Sequence, residues 1–430
     1  MKNTLIRNHS LFLTLGCLAV CATLPALGKV REGVDTLVNF DGKNGSQPQS
    51  ILEDSAGHFY GTTLSGGKYN KGTVFEILGS GRLVTLVHFD GANGAEPEAG
   101  MLLAPDGSLY GTTKSGGAND KGTVFRISPK GIFSTILTFD GSNGSAPDSG
   151  LLIGPDGSIY GSTQTGGSNQ QGLIFKVSPT GKGTVLTTFG GINGSNPGTL
   201  IRGDDGNFYG ICNKGGATGN GLIFKVTPTG QLTALITFDG KNGAHPVSGL
   251  TKNEDGDFYG ATSDGGKDNL GTVFKLTKDG KFRTVAFFNG ANGSHPDTGL
   301  VEWSNGYFYM IGLWNNMLVK SGGPQWAGDN FCGTTSGGGA NGIGTIYRVG
   351  DDGDMVTLVS FTGTRGIDVG ASPNSLVPGL DGNLYGTTGY GGYHNLGSAF
   401  RLQLQLWILP VAGSSDGSGC GNINLPIVSN

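Results

Sequence analysis

"DGSLYGTTKSGGANDKGTVF" spans Asp106–Phe125, and "DGSIYGSTQTGGSNQQGLIF" spans Asp156–Phe175. Close copies begin at Ala56, Asp205, Asp255 and Asp381, and "NGYFY" at Asn305 opens an altered one. A second phrase alternates with the first. "FDGKNGSQP" starts at Phe40, "FDGANGAEP" at Phe89 and "FDGSNGSAP" at Phe139. Further copies start at Phe189, Phe238 and Phe288, with a worn one, "FTGTRG", at Phe361. Successive phenylalanines are 49, 50, 50, 49, 50 and 73 residues apart. A period of this length marks a solenoid, a propeller or an array.

One period, from Glu98 to Phe139, reads as four short strands. "AGMLLA" ends at a Pro-Asp-Gly turn, and "SLYGTT" runs into the Gly- and Asn-rich "KSGGANDKG". "TVFRIS" turns at Pro129-Lys130-Gly131, and "FSTILTF" closes the unit. Alternating apolar residues bounded by turn chemistry argue for strands of about six residues. No stretch offers helical spacing with caps. The 83 glycines among 430 residues, against a usual share of about 7%, fall mostly in repeated turns, where positive φ favours Gly. Four antiparallel strands per unit, in seven units, predict an all-β, seven-bladed β-propeller. A solenoid would need shorter coils, and separate sandwiches would not share one period. The seventh unit supplies three strands, ending at "GSAFRL", Gly397–Leu402. "VDTLVNF", Val34–Phe40, matches a fourth strand and stands before the first complete unit. The N-terminal strand is therefore expected to close the ring and remove an open edge, with "QLQLWIL", 403–409, as a competitor for that edge.

Residues 1–28 read as a secretory signal peptide: Lys2 and Arg7, then the apolar "LFLTLGCLAVCA", then "ALG". Residues 29–410 form the expected propeller, with an insertion at 310–332, and 411–430 a flexible Gly- and Ser-rich tail. Export places the chain outside the cytoplasm: secreted, on the cell surface or in the periplasm. The formal charge is −4, and losing Lys2 and Arg7 with the signal makes it −6. That balance, with no basic run, argues against nucleic acid. No apolar run beyond the signal is long enough to span a membrane, and a monomer is expected. Cys212, Cys332 and Cys420 remain after cleavage and match no zinc spacing. They read as packing residues, with at most one disulfide among them.

The unit "DGxLYGTTxxGGxxxxGTVFKV" with "FDGxNGxxP" resembles the bacterial Gloeo/Verruco (GloVer) tandem repeat over residues 34–402, nearly the whole mature chain. The resemblance implies an exported protein of the cell surface or surroundings. It brings no established activity with it.

Strand parity puts the "TTxxGGxxxxG" and "FDGxNGxxP" loops on one face, around the channel mouth, and the Pro-Asp-Gly turns on the other. Asp and Asn recur in the first face, as in Asp239 with Asn242. Calcium wants six to eight oxygens, and each loop offers two such side chains. Backbone-bonding turns are the preferred reading, and no metal or cofactor is expected. His245 and His295 hold the same place in adjacent units, where others carry Gln47, Glu96, Ala146 or Asn196. Two imidazoles there are candidates for an acid–base or metal pair, set against a slot that tolerates any polar residue. The insertion "MIGLWNNMLVKSGGPQWAGDNFC", Met310–Cys332, accounts for the long interval. Read as interrupting strand two, it would overhang the loop-rich face and offer Trp314 and Trp326 as ligand anchors. The candidate ligand-binding residues are thus Trp314, Trp326, His245, His295, Asp239 and Asn242. No nucleophile motif and no carboxylate pair stands out. The favoured function is a non-catalytic exported propeller binding an extracellular polysaccharide or a surface protein. The alternative is an enzyme, a lactonase, lyase or glycan-active hydrolase, with its site at the channel mouth.

Overall fold

The computed structural model describes residues 33–302, 309–314, 317–322, 329–364 and 369–403. Seven antiparallel sheets follow one another along the chain, each with four strand positions, and together they make a seven-bladed β-propeller. Blade one consists of Ser46–Glu53, Phe59–Ser65, Thr73–Ile77 and Leu83–His88, paired in that order. In blades four to six the first strand is broken into two short pieces that both pair with strand two. Strand one lines the central channel.

The ring closes as the sequence predicts. Gly33–Asn39 pairs antiparallel with Ser398–Gln403, setting Val34 opposite Leu402 and Asn39 opposite Ser398. The last blade is therefore Ala371–Pro378, Leu384–Tyr390, Ser398–Gln403 and the N-terminal strand. The competing segment 404–409 lies outside the described residues.

One aromatic contact recurs at every junction. The Phe that opens "FDGxNG" leaves the fourth strand of one blade and enters the next. Phe40, Phe89, Phe139, Phe189, Phe238, Phe288 and Phe361 are all fully buried. Each lies 5.0–5.5 Å, centroid to centroid, from the strand-three aromatic of the blade it enters, from Phe75 in blade one to Phe400 in blade seven. That second ring sits over the glycine of the "YG" pair. A Cβ on Gly111 would come within 2.4 Å of Phe125 Cζ, and one on Gly61 within 2.4 Å of Phe75 Cζ. The glycine is there for space, since its φ is ordinary.

A belt of strand-two aromatics joins blades through the neighbouring residue. Tyr160 packs on Phe208, Tyr209 on Phe258 and Tyr259 on Phe331, with centroids 4.6, 4.5 and 4.0 Å apart. Phe59 of blade one meets Tyr385 of blade seven at 4.4 Å. The closing junction thus uses the same contact as the interior ones.

Blade six corrects the placement of the insertion. Val301 and Glu302 pair with Cys332 and Phe331, so "NFCGTT" is strand two, and "NGYFY" is not. The additional residues lie at 303–329, between strands one and two, rather than at 310–332 within strand two. They leave the blade on the face of the Pro-Asp-Gly turns, opposite the one expected. Within them Tyr309–Trp314 and Met317–Gly322 form a two-stranded hairpin, with Trp314 paired to Met317. Trp326 lies outside the described residues.

Two outcomes test this architecture. Deleting residues 33–39 exposes the edge of Ser398–Gln403 and should promote aggregation relative to the intact protein, read by size-exclusion chromatography. Gly111→Ala drives a methyl into the Phe125 ring and should cost about 1–3 kcal/mol in denaturant unfolding. Unchanged stability in that variant would mean that the junction has slack.

Candidate functional site

The two repeated loops share one face, as strand parity requires. The backbone N–H of Gly67 in the "GG" loop donates to the Gly42 carbonyl of the "FDG" loop at 2.8 Å, and Gly117 repeats this with Gly91. Within the "FDGxNG" loops the polar side chains are used locally. The Asp239 carboxylate accepts from the N–H groups of Lys241 and Asn242, and Asn242 Oδ1 accepts from the Asp239 N–H, all at 2.9 Å. Asp90 with Asn93 and Asp140 with Asn143 repeat the lock. These are the backbone-bonding turns that the sequence favoured over calcium. Among the described residues, no group of three His, Cys, Asp or Glu side chains is arranged to hold a metal ion.

His245 and His295 occupy a slot defined by its backbone. All seven residues of this column have positive φ, from Ser372 at 47° to Gln47 at 56°, with His245 at 54° and His295 at 51°. Each N–H reaches the loop of the preceding blade: His245 to Asn220 O at 2.8 Å, His295 to Leu270 O at 2.9 Å. The rings also turn toward the preceding blade. His245 Nδ1 lies 3.1 Å from Asn213 O, and His295 Nδ1 3.0 Å from Ser263 O and 3.5 Å from Asp264 Oδ1. The structure ties each imidazole to a different blade rather than to the other.

The residue after the repeated proline faces the channel. That column reads Gln49, Glu98, Asp148, Gly198, Val247, Asp297 and Asn374, all of which line a central cavity of about 760 Å³. Blades two and three bring two carboxylates together there, a pair that the sequence reading did not find. Lys114 Nζ sits 2.7 Å from Glu98 Oε2. Gln164 donates its side-chain amide to Asp148 Oδ2. Burial, reinforced by the negative charge of Glu98, pushes the Asp148 carboxyl up to about 7, although Lys114 and Gln164 pull the other way. Burial disfavours charge on Lys114, but its hydrogen bond and attraction to Glu98 outweigh that and raise its pKa.

Asp297 stands across the channel on blade six. The surrounding protein pushes its carboxyl up as well, but its side chain is open to the channel. Elsewhere amides bond across the blades: Asn374 Nδ2 donates to Pro48 O at 2.8 Å and Asn213 Nδ2 to Pro246 O at 3.2 Å. Among the described residues no aromatic side chain lines the cavity.

The Cys212 and Cys332 side chains are buried, and burial pushes the Cys212 thiol far above its ordinary pKa. Both pack in blade cores, which suits packing rather than reactivity. Cys420 and residues 1–28 lie outside the described residues. Among the described residues no helix is long and apolar enough to cross a membrane.

The profile of the Gloeobacter/Verrucomicrobia repeat matches residues 26–202 and 130–313, more than half of the chain. No curated protein sequence matches. Among solved structures, selenomethionine-substituted virginiamycin B lyase from Staphylococcus aureus is similar at 15% identity and a TM-score of 0.54, over 87% of this chain and 99% of that one. Extracellular domains of two B. thetaiotaomicron proteins described as hybrid two-component systems are also similar. One has 12% identity and a TM-score of 0.54, over 86% of this chain and 39% of that one. The other has 13% identity and a TM-score of 0.50, over 86% and 41%. At these identities the likeness concerns the fold.

The channel carboxylate has a measurable signature. Asp148 should titrate with a midpoint near 7 in carboxyl NMR, against about 3.9 for a free Asp. A carboxyl whose pKa rises on folding binds more protons when folded, so its contribution to stability falls as pH climbs from about 4 to 7. Asp148→Asn removes that fall, so its melting temperature should gain on the wild type across this window and hold the gain above it.

Proposed function

We propose that this chain, which belongs to the Gloeobacter/Verrucomicrobia repeat family, is an exported propeller that binds a polyhydroxylated ligand at the loop-face mouth of its channel. A segment of an extracellular polysaccharide is the ligand class that fits best. The reading rests on one observation: the loops bond their own Asp and Asn, while the channel column departs from the seven-fold repeat and carries polar side chains in five of its seven places. Glu98, Asp148 and Asp297 offer acceptors, and Gln49, Gln164 and Asn374 offer both donors and acceptors. Sugar hydroxyls need such a mixture. The cavity of about 760 Å³ lies within the usual range for ligand pockets, about 300–1,000 Å³. The apolar signal segment supports export, and the likeness to extracellular domains is compatible with it.

A second reading keeps the channel and adds chemistry. A pair of carboxylates of which one holds its proton near neutral pH is the arrangement used in acid–base chemistry. Asp148, raised toward 7, would supply the proton, and Glu98, held by Lys114, would be its carboxylate neighbour. This favours glycan cleavage among the enzymatic alternatives.

A glycan array followed by titration of the best ligand separates the readings. For a binding protein, Glu98→Gln and Asp148→Asn should each weaken affinity about tenfold, since a hydrogen bond to a charged group contributes about 1.5–3 kcal/mol. For an enzyme, chromatography of the incubated glycan should show shortened products with the wild type. Those products should disappear with Asp148→Asn while binding persists. Glycan binding indifferent to both substitutions would remove the channel from either account.

A further inference from the structure

Strand three carries a cation at one fixed place in six blades: Arg126, Lys176, Lys225, Lys275, Arg348 and Arg401. Blade one has Glu76 there. In three of the sister blades the cation sits between a carboxylate and a tyrosine ring. Arg126 meets Asp106 at 3.2 Å and lies over the Tyr110 ring at 5.9 Å. Lys176 meets Asp156 at 2.6 Å and lies over Tyr160 at 5.4 Å. Lys275 meets Asp257 at 2.9 Å and lies over Tyr259 at 5.0 Å. The slot is thus a tyrosine face beside a carboxylate, a setting that attracts ammonium and guanidinium groups.

Blade one keeps the tyrosine and the carboxylate and replaces the cation with a second carboxylate. Tyr60 Oη donates to Glu76 Oε1 at 3.0 Å and, more weakly, to Asp54 Oδ2 at 3.4 Å. Burial and the hydrogen bond to Glu76 hold the phenol protonated. His58 Nδ1 lies 3.1 Å from Glu76 Oε1 and 3.9 Å from Asp54 Oδ2. Asp54, Tyr60 and Glu76 also form one end of a groove of about 670 Å³ between blades one and two, on the turn face. Its walls include Leu86, Leu103, Pro105, Ile127 and Pro129.

We infer that this groove receives a lysine or arginine side chain from a partner polypeptide. The aliphatic stem would lie along the Leu, Ile and Pro walls, and the charged head would sit over Tyr60 between Asp54 and Glu76. The argument is one of charge complementarity. The sister blades show which group this architecture holds, and blade one presents the same receptor with its internal cation replaced by an anion. Long basic side chains bury their stems on apolar surface and keep the head on polar groups. The site lies on the opposite face from the channel mouth and is independent of what binds there.

The test uses the mature full chain and three probes: the Nα-acetyl methylamides of lysine, arginine and norleucine, titrated by NMR. The two cationic probes should bind saturably and at least about tenfold more tightly than norleucine, as the sum of a charge-assisted bond and a cation–π contact implies. Glu76→Gln should weaken them about tenfold. Glu76→Lys refills the slot from within, as in the sister blades, and should abolish probe binding while melting at or above the wild-type temperature. Cationic probes that bind no better than norleucine would overturn the inference. So would a folded Glu76→Lys protein that binds them unchanged.

Discussion

Every junction in this molecule depends on a phenylalanine ring fitted edge-on to another aromatic ring above a glycine. The first ring, Phe89 for example, crosses from one blade to the next, and the second, Phe125, fills the space that Gly111 leaves open. Full burial of a Phe contributes about 1.5–3 kcal/mol, and the tilted or edge-to-face geometry adds about 0.5–1.5. A four-stranded blade exposes two apolar faces and is not stable alone, so this contact must recur at each interface and also close the ring. The backbone around it is equally constrained. The last glycine of each "GGxxxxG" loop would, with a Cβ, strike the proline of the next blade, as Gly72 would strike Pro97 at 2.6 Å. The Phe N–H bonds the carbonyl of the same glycine, Phe89 to Gly72 at 3.1 Å. Phe, Gly and Pro recur together because they meet at one place.

A scaffold this uniform sorts its variable columns by what each position needs. The residue before the proline needs a left-handed backbone and an N–H for the preceding blade, and any side chain that tolerates this conformation will serve. Gln47, Glu96, Ala146, His245 and Ser372 all do so. Variation there carries little information about ligands, and the two histidines are members of that series. The residue after the proline points into the channel, where side-chain chemistry meets solvent. Variation there changes what the channel can hold.

The fold was legible because period, turn chemistry and strand alternation all agree, and because Val34–Phe40 reads as a fourth strand without its blade. The channel site was not read, although its residues were in view. Glu98 and Asp148 are 50 positions apart in the chain and become neighbours only when the repeats are laid side by side and their positions compared column by column. Glu76 among six cations shows in the same way. The insertion was misread for a local reason. "NGYFY" and "NFCG" both imitate the strand-two phrase, and only the pairing of Val301 with Cys332 selects the second. Choosing the first moves the hairpin to the wrong face.

Both chemical departures run against local stability. Asp148 has its pKa raised on folding, which means that the folded channel disfavours its charge at neutral pH. Glu76 forgoes the ion pair and cation–π contact that Lys176 and Lys275 make in sister blades. Neither residue takes part in the Phe–Phe contacts at the junctions. The ring can therefore tolerate them without loosening an interface, and destabilising groups kept where structure does not need them are where function is expected. The two lie on different surfaces, one facing the channel and one the turn face between blades one and two. With the interfaces left to the aromatic contacts, the channel column and the turn face are free to specialise for different ligands.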